Sequence, residues 1–362
     1  MRFYFDHNAC TQADDRVLAR FLEVEALCPS NPGSLHESGR RARAMVEQAR
    51  AEVASALGVR ADELLFVSGG TEANNMIVLG AGDPGLPVLL APVEHPSVLE
   101  AGAQRGRVLW EVDRCGAAVV APPDENVGLI CLVHGQNEIG TLQPVAAAAA
   151  LARDLGAPLH VDVSQTLGRC PLADVIGVAT SVTLSTHKAG GVRGAGVLIN
   201  KNPDLRPLFC GGGQQQGQRP GTESPALAVA SALAITLAIE EQPARSANML
   251  AARAAFATEL PNSTTWITPK NNSLPNTLMC LFQDVDGRML LPALDMAGVE
   301  ASQGSACSSG SPTPPPVLHA MGMNDQEARA CVRFSFSQHT TPEQASRGGR
   351  IVHDVISRLL QT

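Results

Sequence analysis

With 362 residues the chain exceeds a single typical core, so one large domain and a smaller one with a cleft between them are expected. Its 44% apolar and 17% charged residues exclude a disordered or fibrous chain, and 35 acidic against 27 basic residues, a formal charge of -8, leave no basic face for nucleic acid. No segment reaches the roughly eighteen uninterrupted apolar residues of a membrane span, and the first residues lack a signal-peptide core, so a cytosolic protein without a membrane partner is expected.

In chain order, residues 38–57 read as a helix with Ala42, Met45, Val46, Ala49, Val53 and Leu57 on one face and Gly58 as its stop. A short strand at 64–67 runs through Ser68, Gly69 and Gly70 into a helix over 72–79. Strands follow at 88–90, 128–133, 158–163 and 181–184, with a helix over 145–155 among them, and Val197-Leu198-Ile199 resumes as a strand. Short apolar strands separated by helices predict a mostly parallel sheet covered on both faces. A long apolar helix over 225–241 closes this region, with Gln242-Pro243 as its exit. The smaller, less regular part has a helix near 248–260, strands near 276–282 and 331–336, and a Pro/Ser/Gly stretch over 302–316. The nine cysteines are scattered and none forms a CxxC pair, so no metal site is expected and free thiols in a reducing compartment fit best.

Four polar clusters fall at the carboxyl ends of predicted strands, where open parallel sheets bind ligands. Ser68 to Asn75 joins glycines to a helix N-terminus and makes a seat for one phosphate, or else a plain strand-to-helix turn. His95 follows the 88–90 strand and would lie over that seat, unless it is structural. The run 134–140, with Asn137 and Glu138, carries more amide and carboxyl groups than a turn requires. Asp162 ends an apolar strand and must find a cation or a donor, a pyridinium nitrogen being one answer and helix capping the other.

Ser185-Thr186-His187-Lys188, followed by a glycine-rich turn, presents a lysine between two strands, as a Schiff-base lysine is presented; a solvated surface charge is the alternative. A phosphate seat, a ring to stack, an acid and such a lysine together match the needs of pyridoxal phosphate. Cys307 lies in a run of small polar residues, which suits a mobile nucleophile, although a chance surface cysteine would look the same. Arg333 interrupts an apolar strand and must meet an anion, either a substrate carboxylate or the partner of a buried ion pair.

The blocks Tyr4 to Ala9, Ser30 to His36, Gly39 to Arg43, Ser68 to Asn75, Glu94-His95, Asn137 to Gly140, His160 to Asp162, His187-Lys188, Gly211 to Gln214, Arg219 to Glu223 and Gly304 to Gly310 resemble, in order, those of the cysteine desulfurases of the class-V aminotransferase group, in their iron–sulfur-cluster and nitrogen-fixation branch. The resemblance implies an α/β fold of type I among pyridoxal-phosphate transferases, with a large domain over 13–241 built on a mostly parallel seven-stranded sheet. A smaller α+β domain would be made of 1–12 and 242–362. It implies that Lys188 bears the cofactor, Asp162 pairs with its pyridine nitrogen, Gln165 contacts its phenolic oxygen and His95 stacks on its ring and shuttles protons. Gly70, Thr71, Ser185 and His187 would hold the phosphate, with Thr222 supplied by the partner of a homodimer, while Arg333, Asn137 and Asn31 would hold the carboxylate of L-cysteine.

The implied reaction converts L-cysteine into L-alanine and leaves a persulfide on Cys307 for transfer to an acceptor protein such as an iron–sulfur scaffold. A selenocysteine lyase, another class-V aminotransferase and a noncatalytic scaffold on the same fold are the other readings. Cys10, Gln215, Ser224 and the run Ala189 to Arg193 depart from the usual family residues, and none is expected to touch a catalytic group.

Overall fold

The computed structural model describes residues 2–202, 204–304 and 314–361. Its largest sheet has seven strands in the spatial order Leu64–Val67, Gly196–Asn200, Ser181–Ser185, Leu159–Asp162, Leu129–Val133, Val88–Leu90 and Arg107–Leu109. Only Gly196–Asn200 runs antiparallel to its neighbours. The three central parallel strands, Leu129–Val133, Leu159–Asp162 and Ser181–Ser185, are buried along their whole length, as a sheet covered by helices on both faces requires. Arg107–Leu109, at the sheet's edge, was not legible because its charged first residue and partial exposure break the apolar run.

The helix Glu37–Leu57 buries Ala42, Val46, Ala49, Val53 and Leu57 and ends at Gly58, whose φ of 67° is the left-handed conformation that glycine adopts without a Cβ penalty. Helix Val145–Leu155 has the predicted bounds. Two expectations need correction. Gln242-Pro243 does not lead out of the long helix Pro225–Glu240; it starts the next one, Gln242–Ala257, six residues earlier than the predicted 248. Proline is tolerated in a first turn because the N–H it lacks would have no helical partner there. The Gly70–Gly80 helix likewise begins two residues before the predicted 72, directly at the glycine.

A second core gathers Phe3, Phe5, Phe256, Phe282, Phe334 and Phe336, six of the nine phenylalanines. Phe256 lies 5.3 Å from Phe5 and 4.6 Å from Phe334, ring to ring, so the N-terminal segment is tied to elements from the last third of the chain. A small antiparallel sheet of Cys331–Ser335, Thr277–Leu281 and Thr265–Trp266 supports this core, and Phe3–Tyr4 pairs in parallel with Val299–Glu300. Among the described residues no single helix is long and apolar enough to cross a membrane; the pair Pro225–Glu240 and Gln242–Ala257 reaches the required composition only together, across a 71° bend.

Candidate active site

A cavity of about 500 Å³ opens where the carboxyl ends of the large sheet face the small antiparallel sheet. Gly70 and Thr71 border it after the Leu64–Val67 strand, His95 after Val88–Leu90, Asn137 and Glu138 after Leu129–Val133, Asp162 at the end of its strand, and Ser185, His187 and Lys188 at the end of Ser181–Ser185. Arg333 reaches the same cavity from Cys331–Ser335. Nine of the thirteen residues expected at the site therefore converge on one cavity, namely those just named less Glu138. Asn31 and Thr222 are exposed and do not border it; Asn31 lines a separate cavity of about 550 Å³ with Arg43, Arg50 and Glu223. Cys307 lies outside the described residues. Gln165, the remaining residue of the cofactor set, is buried behind the cavity, where its Nε2 donates to the Asn8 carbonyl at 2.9 Å and its Oε1 accepts from Arg169 at 2.5 Å.

Asp162 accepts from the backbone N–H of Ser164 and from Asn74 Nδ2, each at 2.8 Å. Burial pushes its carboxyl up, but donors at Ser164 and Asn74 and the nearby Lys188 cation outweigh that and leave it below the usual range. Behind it, His160 contacts Asn74 Oδ1 at 3.1 Å and Ser181 Oγ at 2.9 Å. Asn74 spends its Nδ2 hydrogens on Asp162 and Ser97, so its Oδ1 must accept and His160 Nε2 must carry the proton. Asn74 lies within the predicted phosphate loop by sequence alone; its place four residues after Gly70, on the inner face of a helix, is the signal that it points into the core.

His95 is the N-cap of the helix Pro96–Arg105, and its Nδ1 accepts the Ser97 N–H at 3.1 Å. This bond places the imidazole proton on Nε2 and leaves that atom free of the cap. The structural reading of His95 is thus observed as a helix cap, and the ring also borders the cavity. Burial and the Lys188 charge keep the ring neutral.

Lys188 is partly buried at the cavity wall and its amine makes no hydrogen bond among the described residues. Burial, with Arg169 and Arg333 nearby, lowers its pKa against the opposing pull of Asp162 and Glu138, which raises the share of amine able to act as a nucleophile. Of its two alternatives Arg333 shows the buried ion pair. Its Nη1 donates to Glu138 at 2.6 Å and its Nη2 to Asp6 at 2.5 Å, whereas its buried Nε has no partner.

The residues fit a phosphorylated pyridine cofactor. A Cβ at Gly70 would stand 2.5 Å from Ser185 Oγ, so only glycine leaves that end of the cavity open at the helix start, and the Gly70 N–H already donates to Ser185 Oγ at 3.0 Å. An ionised carboxylate at one wall and a basic amine at another complete the donor set such a group requires.

The departures from the family pattern sit closer to the site than expected. Cys10 and Arg193 border the same cavity, with Arg193 Nη1 3.5 Å from the Cys10 sulfur. Gln215 bonds Arg50 and Glu223, and Ser224 caps the helix Pro225–Glu240, so these two serve the scaffold.

Burial holds His7, His134 and His187 down to about 4. Unfolding returns each to an ordinary value near 6.5, so the unfolded chain binds more protons between those limits. Stability is therefore fully present above about pH 6.5 and falls as pH drops toward 4. Thermal unfolding at a series of pH values is expected to show a falling melting temperature across that window; a flat profile would contradict neutral burial of these rings.

The family description "Aminotransferase class-V" matches residues 3–347. The chain is similar to "Cysteine desulfurase IscS" of Dictyoglomus turgidum, with 35% identity covering 98% of this chain and 95% of that one. It is similar also to "Cysteine desulfurase NifS" of Azotobacter vinelandii, with 32% identity covering 98% and 93%. Among solved structures, a "NIFS-LIKE PROTEIN" superposes with a TM-score of 0.88 at 30% identity, covering 99% of this chain and 100% of that one. A NifS-like protein from Rickettsia africae gives a TM-score of 0.87 at 26% identity over the full length of both chains.

Proposed function

This chain belongs to the class-V aminotransferase family, and we propose that it is a pyridoxal-phosphate-dependent cysteine desulfurase, converting L-cysteine into L-alanine with transfer of the sulfur to a thiol. The observation that carries the reading is the convergence of the Lys188 amine and the Asp162 carboxylate on one cavity at the carboxyl ends of a parallel sheet. When bound, the cofactor supplies an electron sink for the pair left by a broken substrate bond.

The chain's own residues do the rest. Asp162, held ionised by Asn74 and Ser164, would keep the pyridine nitrogen protonated. Gly70, Thr71, Ser185 and His187 would hold the phosphate, and Gln165 would offer an amide hydrogen to the phenolic oxygen. Lys188 would anchor the cofactor and then carry the proton removed from the substrate Cα, while the Nε2 of His95 relays protons at the cavity wall. Arg333 Nε, buried and unpartnered, and Asn137 would take the substrate carboxylate. The Cys307 thiolate would attack the sulfur of L-cysteine: the S–S bond forms, the C–S bond breaks with its electron pair remaining on the carbon that becomes alanine, and a persulfide stays on the protein.

A second copy of the chain would supply Thr222, and Asn31 with it, since neither reaches this chain's own cavity. The division into a unit of 13–241 and a unit of 1–12 with 242–362, a cytosolic location and an iron–sulfur scaffold as acceptor belong to the same proposal.

The test is alanine formation from L-cysteine with and without a reductant. Without one, alanine is expected to stall near about one equivalent per chain as the thiol fills, and to continue once reductant empties it. No alanine under either condition would overturn the reading, and unbroken turnover without reductant would remove the protein-bound persulfide from it.

A further inference from the structure

We propose that Arg169 is a positioning residue of this site: its guanidinium clamps the main chain at Lys188 together with Asn8 and Gln165, and sets a buried cation without a carboxylate partner behind the cavity wall. The proposal rests on the cofactor-binding role of Lys188 given above.

Arg169 is 2% exposed and among the largest fully buried side chains. Its Nη1 donates to Asn8 Oδ1 at 2.9 Å and to Gln165 Oε1 at 2.5 Å, and its Nη2 to the carbonyls of His7 at 3.2 Å and Lys188 at 3.3 Å. All four acceptors are neutral. The other buried arginines each have carboxylates within 4.0 Å: Arg50 has Glu47 and Glu223, Arg245 has Glu241, and Arg333 has Asp6 and Glu138. Among the described residues Arg169 has none. A buried cation without a counterion is costly, and a neutral side chain could fill the same space. A fold that keeps the charge therefore gains something from it at this place.

The place is the cavity wall. Asn8 and Lys188 both border the cavity, and Gln165 stands four residues before Arg169 in the turn that follows the Leu159–Asp162 strand. By occupying Gln165 Oε1, Arg169 fixes which way the amide points and directs its Nε2 hydrogens away from the guanidinium. Burial and the Arg333 charge bring Arg169 down only to about 10, so it is cationic at neutral pH.

Around Lys188, Asp162 and Glu138 favour its protonated form and Arg169 and Arg333 oppose it. His95 and His187 are held neutral by burial, and Arg193 lies at the cavity border. Arg333 is offset by its two carboxylates, whereas Arg169 has no carboxylate within 4.0 Å among the described residues to offset its opposing charge.

The experiment compares the parent, Arg169→Met and Arg169→Lys, loaded with pyridoxal phosphate, by following visible absorbance against pH. Removing the cation is expected to raise the midpoint by about one pH unit, and Arg169→Lys to restore it. A lowered melting temperature with an unchanged midpoint in Arg169→Met would make Arg169 purely structural and overturn the proposal. Should Arg169→Met fail to fold, Arg169→Gln gives the same readout with hydrogen bonding retained. In the cofactor-free proteins, the pH dependence of Lys188 acetylation by acetic anhydride, read on its peptide by mass spectrometry, is expected to shift in the same direction. A parent protein without a visible band would overturn the proposed function, and the acetylation midpoints would still decide the role of Arg169.

Discussion

Replacing Lys188 by alanine is expected to abolish borohydride-stable attachment of pyridoxal phosphate and to lower alanine formation from L-cysteine by about 10³-fold or more. The size of the effect follows from the two tasks assigned to one nitrogen, anchoring and proton transfer. No other amine can take over. The chain has three lysines, Lys188, Lys201 and Lys270. Lys201 spends its amine on the Ile176 carbonyl at 2.5 Å, and neither Lys201 nor Lys270 borders the cavity. Stability should change little, since the Lys188 amine makes no hydrogen bond among the described residues and its removal relieves burial of a charge. A melting temperature near that of the parent, with the loss of attachment, separates this outcome from misfolding; retained attachment would contradict the assignment.

The second large effect is expected at Cys307. Cys307→Ala should lower sulfide release from L-cysteine by about 10³-fold while the visible absorbance of the bound cofactor stays unchanged. The assignment rests on the sequence around Cys307 and on the poor suitability of four of the other eight thiols. Cys131 and Cys280 are wholly buried and burial drives their pKa values well up, while Cys170 and Cys331 are raised to about 11 and 12. These thiols stay protonated at neutral pH and are poor nucleophiles. Cys10, beside Arg193 at the cavity border, is the informative control. Sulfide release that survives Cys307→Ala and disappears in Cys10→Ala would move the nucleophile to Cys10.

The strand-and-helix alternation was legible because buried parallel strands leave continuous apolar runs, and their carboxyl ends mark the ligand side. Lys188 and Asp162 were legible for the same reason: each follows such a run directly. What joins those residues was not. Arg169, Asn74 and Glu138 act on Lys188, Asp162 and Arg333 across tens of residues, and no local period records such a pairing. The start of the helix at Gln242 was misplaced because a proline reads as a break until its position in a first turn is known. Asn31 and Thr222 were expected at the site from the resemblance alone, and one folded copy leaves both outside its cavity, a placement that no local run of residues records.

Borohydride reduction of the cofactor-loaded protein, followed by digestion and mass spectrometry, tests the central claim most directly. With only three lysines to distinguish, the account predicts a phosphopyridoxyl mass on the peptide that contains Lys188 and on no other. A label on Lys201 or Lys270, or no label from a loaded and yellow protein, would contradict it.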